Sequence, residues 1–243
     1  MDTNLSFLES ALSPGVRAVM STRRGGVSEG VYESLNLSTS VGDDPERVAE
    51  NRRRLLESAR LASPARVRQV HGAGVLEASG PGVAGEADAL VTGASGLPVA
   101  CLVADCAPVA IADAGRGLVG IAHAGWRGAA GGVVPALLEA LLRRGARTER
   151  LDAAVLPSIG VCCFEVGEDV ATRFPEAHLV RAGGAKPRLD LRGALHAQLI
   201  GAGVSPERIQ VWDLCTHCRS DLFFSHRRDG HPSGRHLAAV VRE

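Results

Sequence analysis

The stretch Leu97–Gly128, LPVACLVADCAPVAIADAGRGLVGIAHAGWRG, decides the fold. It holds three closely spaced apolar runs, Leu97–Ala104, Pro108–Asp113 and Gly117–His123, rich in Val and Ile and joined by short turns. Runs that are apolar at nearly every position suit central strands covered on both faces. Working outward, Val16–Thr22, Ala87–Thr92, Leu151–Pro157, Arg208–Leu214 and Leu237–Val241 read as further strands. Arg66–Ala78 alternates like a strand carrying His71. Helical patterns follow Asp44-Pro45 to about Arg60, then Val133–Arg144, Glu165–Phe174 and Leu189–Ala202, with Gly145 and Gly203 as stops. There is no internal repeat, low-complexity tract or long linker. The expectation is one mixed α/β domain over residues 1–243.

Composition agrees. Of 243 residues, 45% are hydrophobic and 22% charged, so the chain can bury a core. Lys+Arg and Asp+Glu are both 27, which removes any global pull toward nucleic acid or membranes. At 3% aromatic residues there are too few rings for base-stacking platforms. The N-terminal MDTNLSFLESALSPG lacks the basic start and apolar run of a secretory leader. No run approaches the roughly 20 apolar residues of a membrane span. A cytoplasmic protein without an obligate protein partner is expected, and its six cysteines are then core residues, ligands or nucleophiles rather than disulfides.

Three segments put metal-ligating side chains beside glycine or at strand ends: Gln69-Val70-His71-Gly72, Ala104-Asp105-Cys106-Ala107-Pro108 and Ala122-His123-Ala124-Gly125. A catalytic zinc takes three protein ligands and leaves one position open, and His71, Cys106 and His123 meet that count. They are 35 and 17 positions apart, so only the fold could unite them. A surface His71 and a buried core Cys106 satisfy the spacing equally well. Cys215-Thr216-His217-Cys218 supplies half of a structural zinc site. The adjacent pair Cys162-Cys163 lacks the spacing of a second CxxC, so Cys215–Cys218 reads as structural or supporting. No His is followed two residues later by Glu, which removes the zinc nucleobase deaminase signature. Arg beside Gly recurs in Arg23-Arg24-Gly25-Gly26, Trp126-Arg127-Gly128 and Arg227-Arg228-Asp229-Gly230, turns that suit either an anion or plain solvation.

The run STRRGGVSEGVYESLNLS, the helix GDDPERVAENRRRL, then QVHG, ADALVT, ADCAPVAIAD, HAGWRGAAGG, CCFEVG and FFSHRRDG resemble, in this order, the bacterial YfiH/YlmD-type proteins. That family includes the mammalian laccase-domain-containing protein and long carried the label polyphenol oxidase. The resemblance implies a layered α/β fold of two sheets flanked by helices, related to the cysteine hydrolase domain of a bacterial cytotoxic factor. It implies zinc (Zn2+) on His71, Cys106 and His123, and phosphorolysis of adenosine, inosine, guanosine and methylthioadenosine, with deamination of adenosine. Leu156–Gly160 departs from the family's Gly-Pro, and Phe164 stands where Tyr is common, which bears on base preference.

With purine nucleosides and phosphate as substrates, Arg23, Arg24 and Arg127 are the candidates to hold phosphate, and Asn36 to meet ribose or base. Deamination also needs a proton shuttle. Asp105 is the candidate if the strand has ended before it; otherwise it orients a ligand. The rival reading is an amide hydrolase acting on cell-wall precursors, with Cys106 as nucleophile and His123 as base. A non-enzymatic module with structural zinc is a further one. A multicopper oxidase fails on ligand supply: there is no His-x-His pair, and Met1 and Met20 are the only methionines.

Overall fold

The computed structural model describes residues 6–183 and 186–243; the first five residues of the N-terminal stretch read above lie outside the described residues. The chain opens with β1 (Phe7–Ser13), β2 (Val16–Ser21), α1 (Pro45–Ser58), β3 (Ala65–Arg68) and β4 (Val75–Glu77). Then come β5 (Gly82–Glu86), β6 (Ala89–Thr92), β7 (Val99–Val103), β8 (Ala107–Asp113) and β9 (Leu118–Ala124). The second half holds α2 (Trp126–Ala130), α3 (Val133–Arg143), β10 (Asp152–Val155), α4 (Glu168–Ala171), β11 (Leu179–Val180) and β12 (Arg188–Leu189). It closes with α5 (Leu191–Gly201), β13 (Ile209–Val211), α6 (His226–Asp229) and β14 (His236–Arg242).

Two mixed six-stranded sheets result, ordered β1-β2-β14-β7-β3-β5 and β13-β10-β8-β9-β6-β4, with β11 and β12 as a separate small ribbon. Side-chain alternation explains the layering. On β8, Ala110 and Ala112 join Met20, Cys101 and Val240 of the first sheet in the core between the sheets. Val109 and Ile111 point the other way, against Leu137, Leu141, Leu195 and Leu199 of α3 and α5. The outer face of the first sheet, with Val19, Ala100 and Ala239, is covered by Leu55 of α1. The result is a helix–sheet–sheet–helix sandwich, and the central runs are apolar throughout because both of their faces are buried.

Local chemistry sets the element ends. Asp44 caps α1 by accepting from the Glu46 and Arg47 amides, with Pro45 in the first turn. Asp190 does the same for α5 through Gly193. Two sequence expectations need correction. Arg66–Ala78 is not one strand: β3 lies in the first sheet and β4 in the second, so the chain crosses between sheets at Gln69–Gly74. Glu165–Phe174 is helical only over Glu168–Ala171, because the Val166 amide donates to Pro187 and Glu165 bridges to Arg188 instead. The edge strand β1, partly exposed on both faces, carries no clear periodic signal. No helix among the described residues is long and apolar enough to cross a membrane.

His236 opens β14 fully buried, its Nε2 accepting the Phe224 amide at 2.8 Å and its ring packed by Phe223 and Phe224. Burial, with smaller contributions around it, pushes its pKa down to about 3. The unfolded chain, with an ordinary imidazole near pH 6.5, binds the proton first. The stabilisation from neutral His236 is therefore complete above pH 6.5 and is lost as pH falls toward 3, by at most about 1.4 kcal/mol per pH unit. Urea unfolding of metal-free protein at pH 7 and pH 5 should show a lower midpoint at pH 5. In His236→Asn, which keeps an acceptor for Phe224, that difference should shrink.

Candidate metal centre

Register, not spacing, brings the three ligand candidates together. β8 and β9 are antiparallel, with Ala107 opposite Ala124 and Pro108 opposite His123. Cys106, one residue before β8, therefore meets the end of β9. β6 flanks β9 with Ala89 opposite Ala122, which sets Asp88 beside His123. His71 comes from the crossing between the sheets. The His71, Cys106 and His123 donor atoms all lie within 4.8 Å of one another, and the two imidazoles meet edge-to-face at 4.9 Å. This group can hold a metal ion.

Asp88 organises the group. Its Oδ1 accepts His123 Nδ1–H at 2.8 Å and the His71 amide at 3.0 Å. Its Oδ2 accepts the amides of Gly72 at 2.6 Å and Val70 at 3.1 Å. The carboxylate is buried, so it is stable as an anion only because these donors saturate it. Burial pulls its pKa up, but the His123 and backbone hydrogen bonds outweigh this and hold it below the usual range. Fixing the proton on Nδ1 leaves Nε2 of His123 as the ligating atom. The same carboxylate holds the 70–72 turn, where His71 adopts a left-handed backbone with φ of 59°. That conformation is unfavourable for a residue with a Cβ.

Before any metal enters, the centre is already polarised. Burial works to raise the Cys106 thiol, yet charged His123 and hydrogen bonds from both histidines bring it down to about 6. Burial works to lower His123, yet the Cys106 thiolate and Asp88 lift it to about 9. At neutral pH the metal-free pair is thiolate and imidazolium. Gly125 makes room for the sulfur: a Cβ there would stand 2.8 Å from Cys106 Sγ and 3.6 Å from His71 Cδ2. The soft thiolate and two imidazoles, with this clearance around them, fit a zinc-type cation.

The centre sits between two cavities. One, of about 300 Å³, is lined by Trp126, Ile159, Phe164 and Leu191, with Arg127, His226 and Arg227 at its polar positions. The other, of about 520 Å³, includes Ser38, Arg68, Gln69 and Arg235. His71, Cys106 and His226 line both.

The remaining sequence candidates fall in different places. Arg127 lines the first cavity, stacks on Trp126 at 4.3 Å and makes no ion pair among the described residues. Arg23 lies outside both cavities; it donates to the Glu33 and Ser220 carbonyls and covers Phe224. Arg24, also outside, is held by the Asp221 carbonyl and carboxylate. Asn36 is fully buried, its amide spent on Ser38, Asp43 and the Arg235 amide. Asp105 lines the first cavity, beyond the end of β7 and with φ of 82°. Its carboxylate accepts from Thr216 Oγ1 (2.6 Å), Ser225 Oγ (3.0 Å) and the Arg227 amide (2.6 Å). Sequence reasoning missed Asp88 and His226; only the ADALVT and SHRRDG motifs pointed near them. It also set aside Cys162-Cys163 for its spacing, whereas the structure gathers Cys162, Cys163, Cys215 and Cys218 into one group.

Fold and site together define a two-sheet α/β sandwich with a His-Cys-His metal-ligating centre at the junction of two cavities. The chain belongs to the family described as multi-copper polyphenol oxidoreductase laccase, whose model matches residues 17–243. It is 44% identical to a purine nucleoside phosphorylase of Deinococcus radiodurans, over 90% of this chain and 86% of that protein. It is 36% identical to adenosine deaminase RL5 of an unknown prokaryotic organism, over 98% of each. The crystal structure of the hypothetical protein YfiH of Bacillus licheniformis superposes with a TM-score of 0.93 at 29% identity, covering 98% of this chain and 97% of that one.

Two substitutions test the geometry. Asp88→Asn sets an amide among N–H donors and should weaken metal binding about 10–100-fold, measured by chelator competition. It should also cost about 1–3 kcal/mol of stability in urea unfolding. Gly125→Ala, at an ordinary backbone angle, should leave the fold intact by circular dichroism while displacing the sulfur and abolishing tight metal binding.

Proposed function

We propose that this protein is a zinc-dependent purine nucleoside enzyme that phosphorolyses adenosine, inosine, guanosine and methylthioadenosine and deaminates adenosine. The observation that carries this reading is the convergence of His71, Cys106 and His123 where two cavities of mixed apolar and polar lining meet. The names of the similar proteins, phosphorylase and deaminase, support the same substrate class. When bound, zinc supplies a Lewis acid at neutral pH.

The chain's own residues supply the rest. Phe164, Ile159 and Leu191 offer a purine apolar walls, and Arg127, steadied on Trp126, offers phosphate a guanidinium. In phosphorolysis a phosphate oxygen bonds to ribose C1′ as the C1′–N9 bond breaks, and the departing purine takes up a proton. His226 Nδ1 faces the Gly230 carbonyl at 3.2 Å, which can only accept, so Nε2 is left to carry protons. His226 is thus a better proton carrier than Asp105, whose three hydrogen bonds make it a positioning residue. Arg23, Arg24 and Asn36 support the loops around the site. The oxidase label has no support in donor supply. Among the described residues the only two metal-competent groups are the His-Cys-His centre and a cluster of cysteines, and Met20 is buried in β2.

One observation favours a second reading. A thiol near 6 beside a histidine near 9 also suits a cysteine hydrolase acting on amides. Stoichiometric metal that only strong chelation removes supports the metalloenzyme, and rapid alkylation of Cys106 in the protein as purified supports the hydrolase.

Chromatography of adenosine incubated with the zinc-loaded protein should show adenine only with phosphate present and inosine with or without it. No turnover would remove the nucleoside reading. Arg127→Ala should raise the KM for phosphate about tenfold or more, with a smaller change in the nucleoside KM.

A further inference from the structure

The Cys162-Cys163 pair sits in a tight turn after β10, where the Cys163 and Phe164 amides both donate to the Gly160 carbonyl. Cys215 and Cys218 lie in the loop after β13. This loop is tied to the first by a parallel bridge between Ser158 and Cys215 and by the Thr216 amide donating to Ser158. The four Sγ atoms all lie within 4.8 Å of one another. Cys218 Sγ stands 3.6 Å from that of Cys162 and 3.3 Å from that of Cys163. All four cysteines are unlinked.

A tetrahedral zinc with four Zn–S bonds of about 2.3 Å needs its sulfurs about 3.8 Å apart, close to this arrangement. One of the sulfurs already has a backbone donor. The Gly160 amide donates to Cys215 Sγ at 3.2 Å. Arg188 donates to the Cys162 carbonyl at 3.4 Å. A Cβ at Gly160 would stand 3.0–3.2 Å from Arg192 Nη2, Cys162 Sγ and Cys215 Cβ, so glycine gives the two loops their close approach around the sulfurs.

The structure assigns a second metal site here: a closed Cys162-Cys163-Cys215-Cys218 centre for a thiophilic divalent cation, zinc by its ligand set. No position is left for water or substrate, so the site is structural. Loading it displaces the thiol protons and transfers no electrons. What it fixes is the wall of the first cavity. Ile159 and Phe164 flank one loop, and Thr216 on the other reaches Asp105 at 2.6 Å.

The assignment is independent of the first centre, so its test is made where that centre is disabled. Cys106→Ser protein, purified without chelator, should contain one zinc per chain by elemental analysis. Replacing that zinc with cobalt should give the intense sulfur-to-metal charge-transfer bands of a tetrathiolate. In the same protein the four cysteines should resist a thiol reagent until a strong chelator is added. Adding Cys162→Ser should lower zinc retention at least tenfold in chelator competition. If it does not fold, the Cys106→Ser cobalt spectrum still decides. Metal-free Cys106→Ser protein with four freely reacting thiols would overturn the assignment, as would an intact mass showing a disulfide among these cysteines.

Discussion

The structure of the site depends on the burial of one carboxylate. Asp88 carries its charge into the interior, and four N–H donors converge on it: three from the 70–72 turn and one from His123. Remove the charge and three consecutive amides lose their acceptor at the point where the chain passes from one sheet to the other. Keep it, and the left-handed His71 backbone, the His123 tautomer and the β3-to-β4 crossing are all determined at once. A buried charge is tolerable only when fully bonded, and this full bonding is what specifies the geometry.

This explains what was legible in the sequence and what was not. β7, β8 and β9 were readable because strands covered on both faces write continuous apolar runs. The crossing at Gln69–Gly74 was invisible: alternation continues through it while the sheet membership changes. The ligand residues were nameable by type, and their union followed from a β8–β9 register that spacing does not encode. Asp88 looked like any acidic residue at the start of a strand. The four cysteines were misjudged for a related reason. Paired-CxxC arithmetic presumes two similar knuckles, whereas here a tight turn and an open loop meet through the Ser158–Cys215 bridge.

Arginine shows the same limit from another side. Lys186 is the sole lysine, so nearly all the cationic side chains carry the five-donor fork. Much of that capacity is directed at backbone carbonyls of irregular loops. Arg228 donates to Thr216, His217 and Phe223; Arg235 to Ser233 and Gly234; Arg23 to Glu33 and Ser220. Glycine-flanked arginines therefore read as anion sites in the sequence, yet several of them do the work of secondary structure in loops that have little of it. Arg127 stands apart because its partner is an aromatic face, which leaves its donors unspent.

The centre also has a mechanical side. Cys106 and His123 are anchored to the ends of β8 and β9 in one sheet, while His71 hangs from the strap that leaves the other. The Asp88 carboxylate, directly before β6, ties that strap to the second sheet. The three ligands are therefore moored to one sheet, although the chain that carries His71 is fed from the other.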